Sequence, residues 1–239
     1  MRLRCEMISC EVLPGIWLDG RLALWIEHAR LLVVSDLHWG YAASHQASGN
    51  LLPSWGDAEL AARLNQLIED YRPAEMIWLG DSLHTLAGRD PAEHFLHASS
   101  TPVTIVSGNH DRRWKVRRPR HLAAHQAGSD ETLELPVSLS REGFFFHHGH
   151  LSLPVPAGVL EITGHHHPAV AWNDGAGGRV KLPALIASNR RLILPAFSPW
   201  AAGSTWNALL EIDERLFAIA PKRIFAVSRE LLLNWRRIA

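Results

Sequence analysis

At 239 residues with 47% apolar side chains, the chain can bury a sizeable core, and disorder is excluded as its default state. Its 24 basic and 24 acidic residues cancel, which argues against a protein that is basic all over, and no stretch resembles the about 20 apolar residues of a membrane-spanning helix. The opening MRLRCEMISC lacks the continuous apolar region of a secretory leader, and Cys5 and Cys10 alone could not staple a domain of this size, so a cytoplasmic, membrane-free protein with reduced thiols is expected.

The early stretch CEVLPGIWLDGRLALWIEHARLLVV predicts strands joined by a turn at Asp19-Gly20. The run RLLVVSDLH halts at Asp36 and His38. In DAELAARLNQLIEDYR, Leu60, Leu64, Leu67 and Ile68 recur at helical spacing, with Asp57 or Ser54 as the expected cap. EMIWLGDSLH is a second buried strand, ending at Asp81. A short helix is predicted to begin at Asp90, where Asp as cap and Pro91 in the first helical position suit both residues. TPVTIVSGNHD, GFFFHHGH and VLEITGHHHP repeat the pattern of an apolar run stopped by a polar cluster. RVKLPALIASNRRLILPAF and RLFAIAPKRIFAV are read as further strands. The sum is one layered α/β domain over 1–239, with mixed sheets and helices outside. Ligands of open α/β sheets gather beyond the carboxyl ends of strands, so five such runs ending in polar clusters imply one shared site.

The residue types at those ends suit metal chemistry. On extended backbone, the Asp36 carboxylate and His38 imidazole point the same way, as do His165 and His167 with His166 turned away, so each pair could grip one metal centre. The Asp81 carboxylate can bridge two cations, Asn109 offers an amide oxygen, and His148 a further imidazole. With no thiolate present, the set suits manganese, iron, zinc or nickel, whereas a bare magnesium site would want fewer imidazoles. Two such ions about 3.5–4 Å apart would lower the pKa of a bridging water and clamp the oxygens of an in-line displacement at phosphorus. If the backbone stays near-extended, His110 points toward substrate and could donate a proton to the leaving oxygen. Asp111 could orient an imidazole from behind. His84, His147, His150 and His166 stand nearby with no role assigned, and His84 could approach the site.

The ordered series D-x-H, GD, GNHD, HG and GHxH, here Asp36/His38, Gly80-Asp81, Gly108 to Asp111, His148-Gly149 and Gly164/His165/His167, resembles the calcineurin-like metallophosphoesterase superfamily across positions 36 to 167. The resemblance implies a four-layer α/β fold, two mixed β-sheets packed as a sandwich and flanked by helices. It implies two divalent metal ions, manganese expected and iron or zinc as alternatives. Asp36, His38, Asp81 and His167 would hold one ion, and Asp81, Asn109, His148 and His165 the other. His148 is chosen over His147 and His150 because the family ligand immediately precedes a glycine. His110 would be the catalytic histidine.

SDLHWGYAASHQASGNLLP, GDSLH, GHHHPAV and RRLILPAFSPWAAG together are also similar to the bacterial ligase-associated DNA damage response endonucleases called PdeM, which extends the match to about Gly203. These relatives have a lysine in the neighbourhood of Gly40-Tyr41, and this chain departs from them there. The narrower resemblance implies a phosphodiesterase or nuclease acting on DNA in repair, associated functionally with a DNA ligase and a helicase. The alternatives are hydrolysis of a small nucleotide or phosphate ester, and a scaffold that has lost catalysis. The intact metal positions and His110 argue against the scaffold.

RRWKVRRPR, Arg112 to Arg120, holds six Lys or Arg and no acid. A solvated surface segment is the plain reading of such a run. Beginning two residues after His110, it is expected on the rim of the site, where Arg112, Arg113 and Arg117 would neutralise substrate phosphates without reading sequence. Trp114 within it could stack on a base, and Trp39, beside the first motif, is a second candidate aromatic.

Overall fold

The computed structural model describes residues 8–117, 132–173, 176, 178–201, 203–206, 210–230 and 232. The first sheet begins as an antiparallel meander of β1 (Ser9–Leu13), β2 (Ile16–Asp19), β3 (Ala23–Ile26) and β4 (Leu31–Val34). The chain then crosses the sheet through α1 (Tyr41–Ala47) and α2 (Gly56–Tyr71) to β5 (Glu75–Leu79), and through a 3-10 turn at Leu86–Gly88 and α3 (Arg89–Ala98) to β6 (Val103–Val106). β4, β5 and β6 are parallel neighbours, as helical crossovers require. A short ribbon of β7 (Val116–Arg117) and β8 (Thr132–Leu133) precedes the second sheet.

That sheet contains β9 (Ser138–Arg141), β10 (Phe144–His147), β11 (Leu160–Thr163), β12 (Pro168–Asn173), β13 (Arg179–Ala187), β14 (Arg191–Ile193), β15 (Ser204–Thr205), β16 (Arg215–Ala220) and β17 (Arg223–Val227). Its order is β15-β12-β13-β14-β11-β10-β9, with β16 branching off β13 and β17 pairing with β16. β10, β11 and β14 are parallel, and the other pairings except β12 with β15 are antiparallel. Both sheets are therefore mixed.

Strand alternation divides the apolar residues among layers. Leu31, Val33, Ile77 and Leu79 face Phe144, Phe146, Ile162, Leu192 and Phe217 of the second sheet, forming the sandwich core. Their neighbours Leu32, Val34, Met76 and Trp78 face the other way, onto Leu60, Leu64 and Leu67 of α2 and Phe95 of α3. β4 and β5 are thus buried on both faces, which is why they read as unbroken apolar runs. The outer face of the second sheet is covered by a third cluster that includes Val170, Ile186, Trp206, Leu210 and Leu232.

The helices depart from the sequence reading in detail. α2 starts at Gly56 after Trp55, with no side-chain cap, because the Asp57 carboxylate instead accepts the Gly40 N–H at 3.0 Å. The helix ends where Arg72 turns left-handed before Pro73. α3 begins at Arg89, since the 3-10 turn runs directly into it, so Asp90 and Pro91 occupy its first turn. α1 was not expected: seven residues are too few to show a periodicity. Asp19-Gly20 does turn the chain, and Asp19 accepts the Arg21 N–H and guanidinium and the Tyr71 hydroxyl, tying the meander to α2. Among the described residues, no helix is long and apolar enough to cross a membrane.

Leu64 is fully buried between α2 and the first sheet. Leu64→Ala should lower the unfolding free energy by about 2–5 kcal/mol, read as a reduced urea midpoint with unchanged slope.

Candidate metal centre

Six parallel strand ends from both sheets meet at one edge of the sandwich. Asp36 follows β4, Asp81 follows β5, Asn109 follows β6, His148 follows β10, His165 follows β11, and Ser198 follows β14. Backbone hydrogen bonds continue the sheet beyond its strands: Asp36 N–H to Gly80 O (3.1 Å), His38 N–H to Asp81 O (3.0 Å), Trp39 N–H to Ser82 O (2.9 Å), and Ser198 N–H to Asp36 O (3.1 Å).

The loops are not extended, and here the alternation argument fails. Asp36, His38, Asp81, His165 and His167 all have positive φ, between 44° and 65°. Such left-handed backbone is unfavourable for residues with a Cβ and persists where surrounding contacts enforce it. The result brings Asp36, His38 and His167 into one group, with ligand atoms within 4.8 Å of one another, and Asp81, His148 and His165 into a second. His165 and His167 therefore separate, one to each group, rather than gripping one centre as a pair. Close approach depends on glycines: a Cβ at Gly164 would lie 1.7 Å from Ser35 Oγ, and one at Gly108 would lie 2.1 Å from the Asp81 nitrogen.

The hydrogen bonding leaves a set of donor atoms without protein partners. Asp36 is fully buried, and its Oδ2 accepts the Ser35 hydroxyl (2.5 Å) and the His165 N–H (3.0 Å). Its Oδ1 lies 2.8 Å from His167 Nε2, yet neither atom makes a hydrogen bond. His38 Nδ1 and Asn109 Oδ1 are also buried and unpartnered. His148 Nδ1 faces Leu79 O at 3.0 Å and, since a carbonyl only accepts, carries the proton. Its Nε2 is thereby aimed at Asp81 Oδ2 (3.3 Å) and His165 Nδ1 (3.2 Å). Buried polar atoms are nearly always paired, so the orphaned atoms of Asp36, His38 and His167, which share one close group, fit a bound cation.

The electrostatics agree. Burial pushes the Asp81 carboxyl upward, but His148 and the His110 N–H outweigh it and hold it well below the usual range. Asp36 is likewise lowered, burial being overcome by His167, His148 and the Ser35 hydroxyl. Burial brings the His38 imidazole down to about 4, against the pull of Asp36 and Asp81. At neutral pH the centre thus offers ionised carboxylates and, at His38, a neutral imidazole with a lone pair to give.

His110 is exposed and lines a cleft of about 470 Å³ with Thr85, Leu86, Asn109, Arg112 and Arg113. Its Nδ1 donates to His84 O at 2.8 Å, which leaves Nε2 facing the centre, 3.9 Å from Asp81 Oδ2. His84 stacks on His110 with ring centroids 5.4 Å apart and joins His38 and His110 in a third close group, a position that sequence spacing left open. His147 turns away, pairing with Glu161 at 2.8 Å, while the His150 ring lies 5.3 Å from His148. Ser35, which sequence reasoning missed, could have been noticed only as the hydroxyl preceding Asp36.

Three expectations are corrected. Asp111 touches no imidazole among the described residues: its buried carboxylate accepts the N–H groups of Ser82 (3.2 Å), Leu83 (3.0 Å) and Gly108 (2.9 Å), knotting two site loops together. Trp114 is buried in the helix-side core, and its indole N–H donates to Glu93, so it offers no face to a base. Trp39 is buried there too, against Trp78 and Phe95. In the basic run, Arg112 and Arg113 are exposed on the cleft. The Arg117 side chain and residues 118–120 lie outside the described part.

A family model for calcineurin-like phosphoesterases matches residues 29–214, the span that carries every strand end named above. The chain belongs to that family. This calcineurin-like phosphoesterase is accordingly a metal-dependent hydrolase. Its fold is similar to that of the nuclease MPE of Pseudomonas putida, with a TM-score of 0.65 at 23% identity, covering 93% of this chain and 100% of that one. YfcE, a phosphoesterase from E. coli, aligns with a TM-score of 0.41 and 18% identity over 82% of this chain and 97% of that one. No curated protein sequence gives a significant match.

Because Asp111 satisfies three buried donors, Asp111→Ala should destabilise the chain by roughly 2 kcal/mol or more even with chelator present. A thermal melt that did not move, alongside lost turnover, would instead place Asp111 in the chemistry.

Proposed function

We propose that this calcineurin-like phosphoesterase is a dinuclear phosphodiesterase acting on nucleic acid, with DNA in repair as its expected substrate. The observation that carries the reading is the pair of adjoining donor groups, Asp36/His38/His167 and Asp81/His148/His165, with buried atoms of Asp36, His38, Asn109 and His167 left unpartnered. Asp36, His38, Asp81 and His167 would hold one ion, and Asp81, Asn109, His148 and His165 the other, with Asp81 shared. The donor chemistry fits: carboxylate, amide oxygen and imidazole without thiolate suit manganese, with iron or zinc as alternatives. When bound, the two ions would supply Lewis acidity and activate water for in-line displacement at phosphorus.

The side chains do the remaining work. Asn109 and His110 share the cleft with Arg112 and Arg113, whose exposed guanidiniums would receive the non-reacting phosphates. His110, with Nδ1 committed to His84 O, has one nitrogen left to give a proton to the departing oxygen. Ser35 and the His165 N–H occupy the second oxygen of Asp36 and so fix its orientation. The Pseudomonas putida protein of similar fold is a nuclease, which favours nucleic acid over a small ester. By the resemblance drawn from the sequence, the reaction belongs to DNA repair in the cytoplasm, alongside a ligase and a helicase.

Purified protein loaded with manganese should cleave an aryl phosphodiester and single-stranded DNA. His110→Ala should retain bound metal while losing about 10²–10⁴-fold in turnover on a poor leaving group. Hydrolysis confined to an aryl phosphomonoester would contradict the nuclease reading, and full activity of His110→Ala would remove the proton-donor role.

A further inference from the structure

His110, which lines the cleft, also belongs to an aromatic series. From His110 a series of rings runs outward: His84 stacks on His110, Tyr41 lies 4.5 Å from His84, Trp200 stacks on Tyr41 at 5.9 Å and 7°, and Trp55 follows Trp200 at 5.1 Å. His45 lies against Tyr41 at 4.4 Å. The inner rings are partly covered by one another, but Trp55 at the outer end is 50% exposed. The series is built into the fold. Gly56 is glycine in an ordinary helical conformation, and a Cβ there would lie 2.3 Å from Trp200 Nε1, so its absence admits the Trp200 ring against the start of α2. Asp57 anchors the start of α1 through the Gly40 N–H, which holds Tyr41 over His84.

A half-exposed tryptophan at one end and an exposed histidine of the cleft at the other suit a ligand with both an aromatic ring and a phosphate. We propose that Trp55, backed by Trp200 and Tyr41, stacks an unpaired nucleobase of the strand whose phosphodiester lies at the metal centre. This rests on the nucleic-acid reading above and adds the requirement that the strand be single or locally unpaired there. A π-face accepts any base, so the subsite recognises unpaired nucleotides without reading sequence. Arg112 and Arg113 line the cleft beside His110, so charge and stacking grip the same strand at separate points.

The test compares the KM of a manganese-loaded enzyme for an oligothymidylate with that for a base-free oligonucleotide of the same length and charge. Wild-type protein should favour the base-bearing strand by about tenfold, the scale of one base stack. Trp55→Ala should bring the ratio of the two KM values close to one, and Trp55→Phe should restore most of it. A Trp55→Ala ratio equal to that of the wild type, or an equal loss on both strands, overturns the stacking subsite and leaves the phosphodiesterase reading standing. A wild-type enzyme that hydrolyses an aryl phosphodiester but neither strand overturns the nucleic-acid reading, and this subsite with it.

Discussion

Two buried carboxylates crowded by imidazoles, Asp36 and Asp81, govern this structure. Asp36 has one oxygen saturated by Ser35 and the His165 N–H and the other facing an imidazole nitrogen without a hydrogen bond. Asp81 has one oxygen on the His110 N–H and the other facing His148 Nε2, whose ring has already committed its Nδ1 proton to Leu79. Burying charge in this way is costly unless a counter-charge completes the arrangement. The surrounding imidazoles supply lone pairs rather than cations where burial keeps them neutral, as at His38. Carboxylate and neutral imidazole together are the donors that suit a divalent cation.

The fold holds this arrangement by geometry. Parallel strands from two sheets end together, their loops remain hydrogen-bonded to one another, and five of the proposed ligands sit in left-handed backbone. Asp111 is the fastener, since its carboxylate ties the loop after β5 to the loop after β6. Strain is stored at the residues of the site and offset by the sandwich core, whose strands β4 and β5 are buried on both faces.

Much of this was legible because the chemistry sits where the hydrophobic pattern breaks. Apolar runs that stop at Asp36, Asp81, Asn109, His148 and His165 mark strand ends without any coordinates, and convergence follows from the rule for parallel sheets. What could not be read is conformational or depends on distant partners. Period-two alternation assumed extended loops, whereas positive φ at Asp36, His38, His165 and His167 places them by another route and sends the last two to different groups. Asp111 beside His110 suggested a partner for an imidazole, but only the fold reveals three backbone N–H groups converging on it. Trp114 sits in a basic run, yet its ring enters the core beneath the helices, a choice set by contacts with α3 rather than by its neighbours in sequence. The ring series from Trp55 to His110 joins residues more than a hundred positions apart and has no local signature.

Anomalous diffraction from crystals grown with manganese decides whether the two donor groups form one dinuclear centre shared through Asp81. Two peaks about 3.5–4 Å apart are expected, one on each side of the Asp81 carboxylate, with Asp36, His38 and His167 around the first and Asn109, His148 and His165 around the second. A single peak, or ions bound away from Asp81, would contradict it.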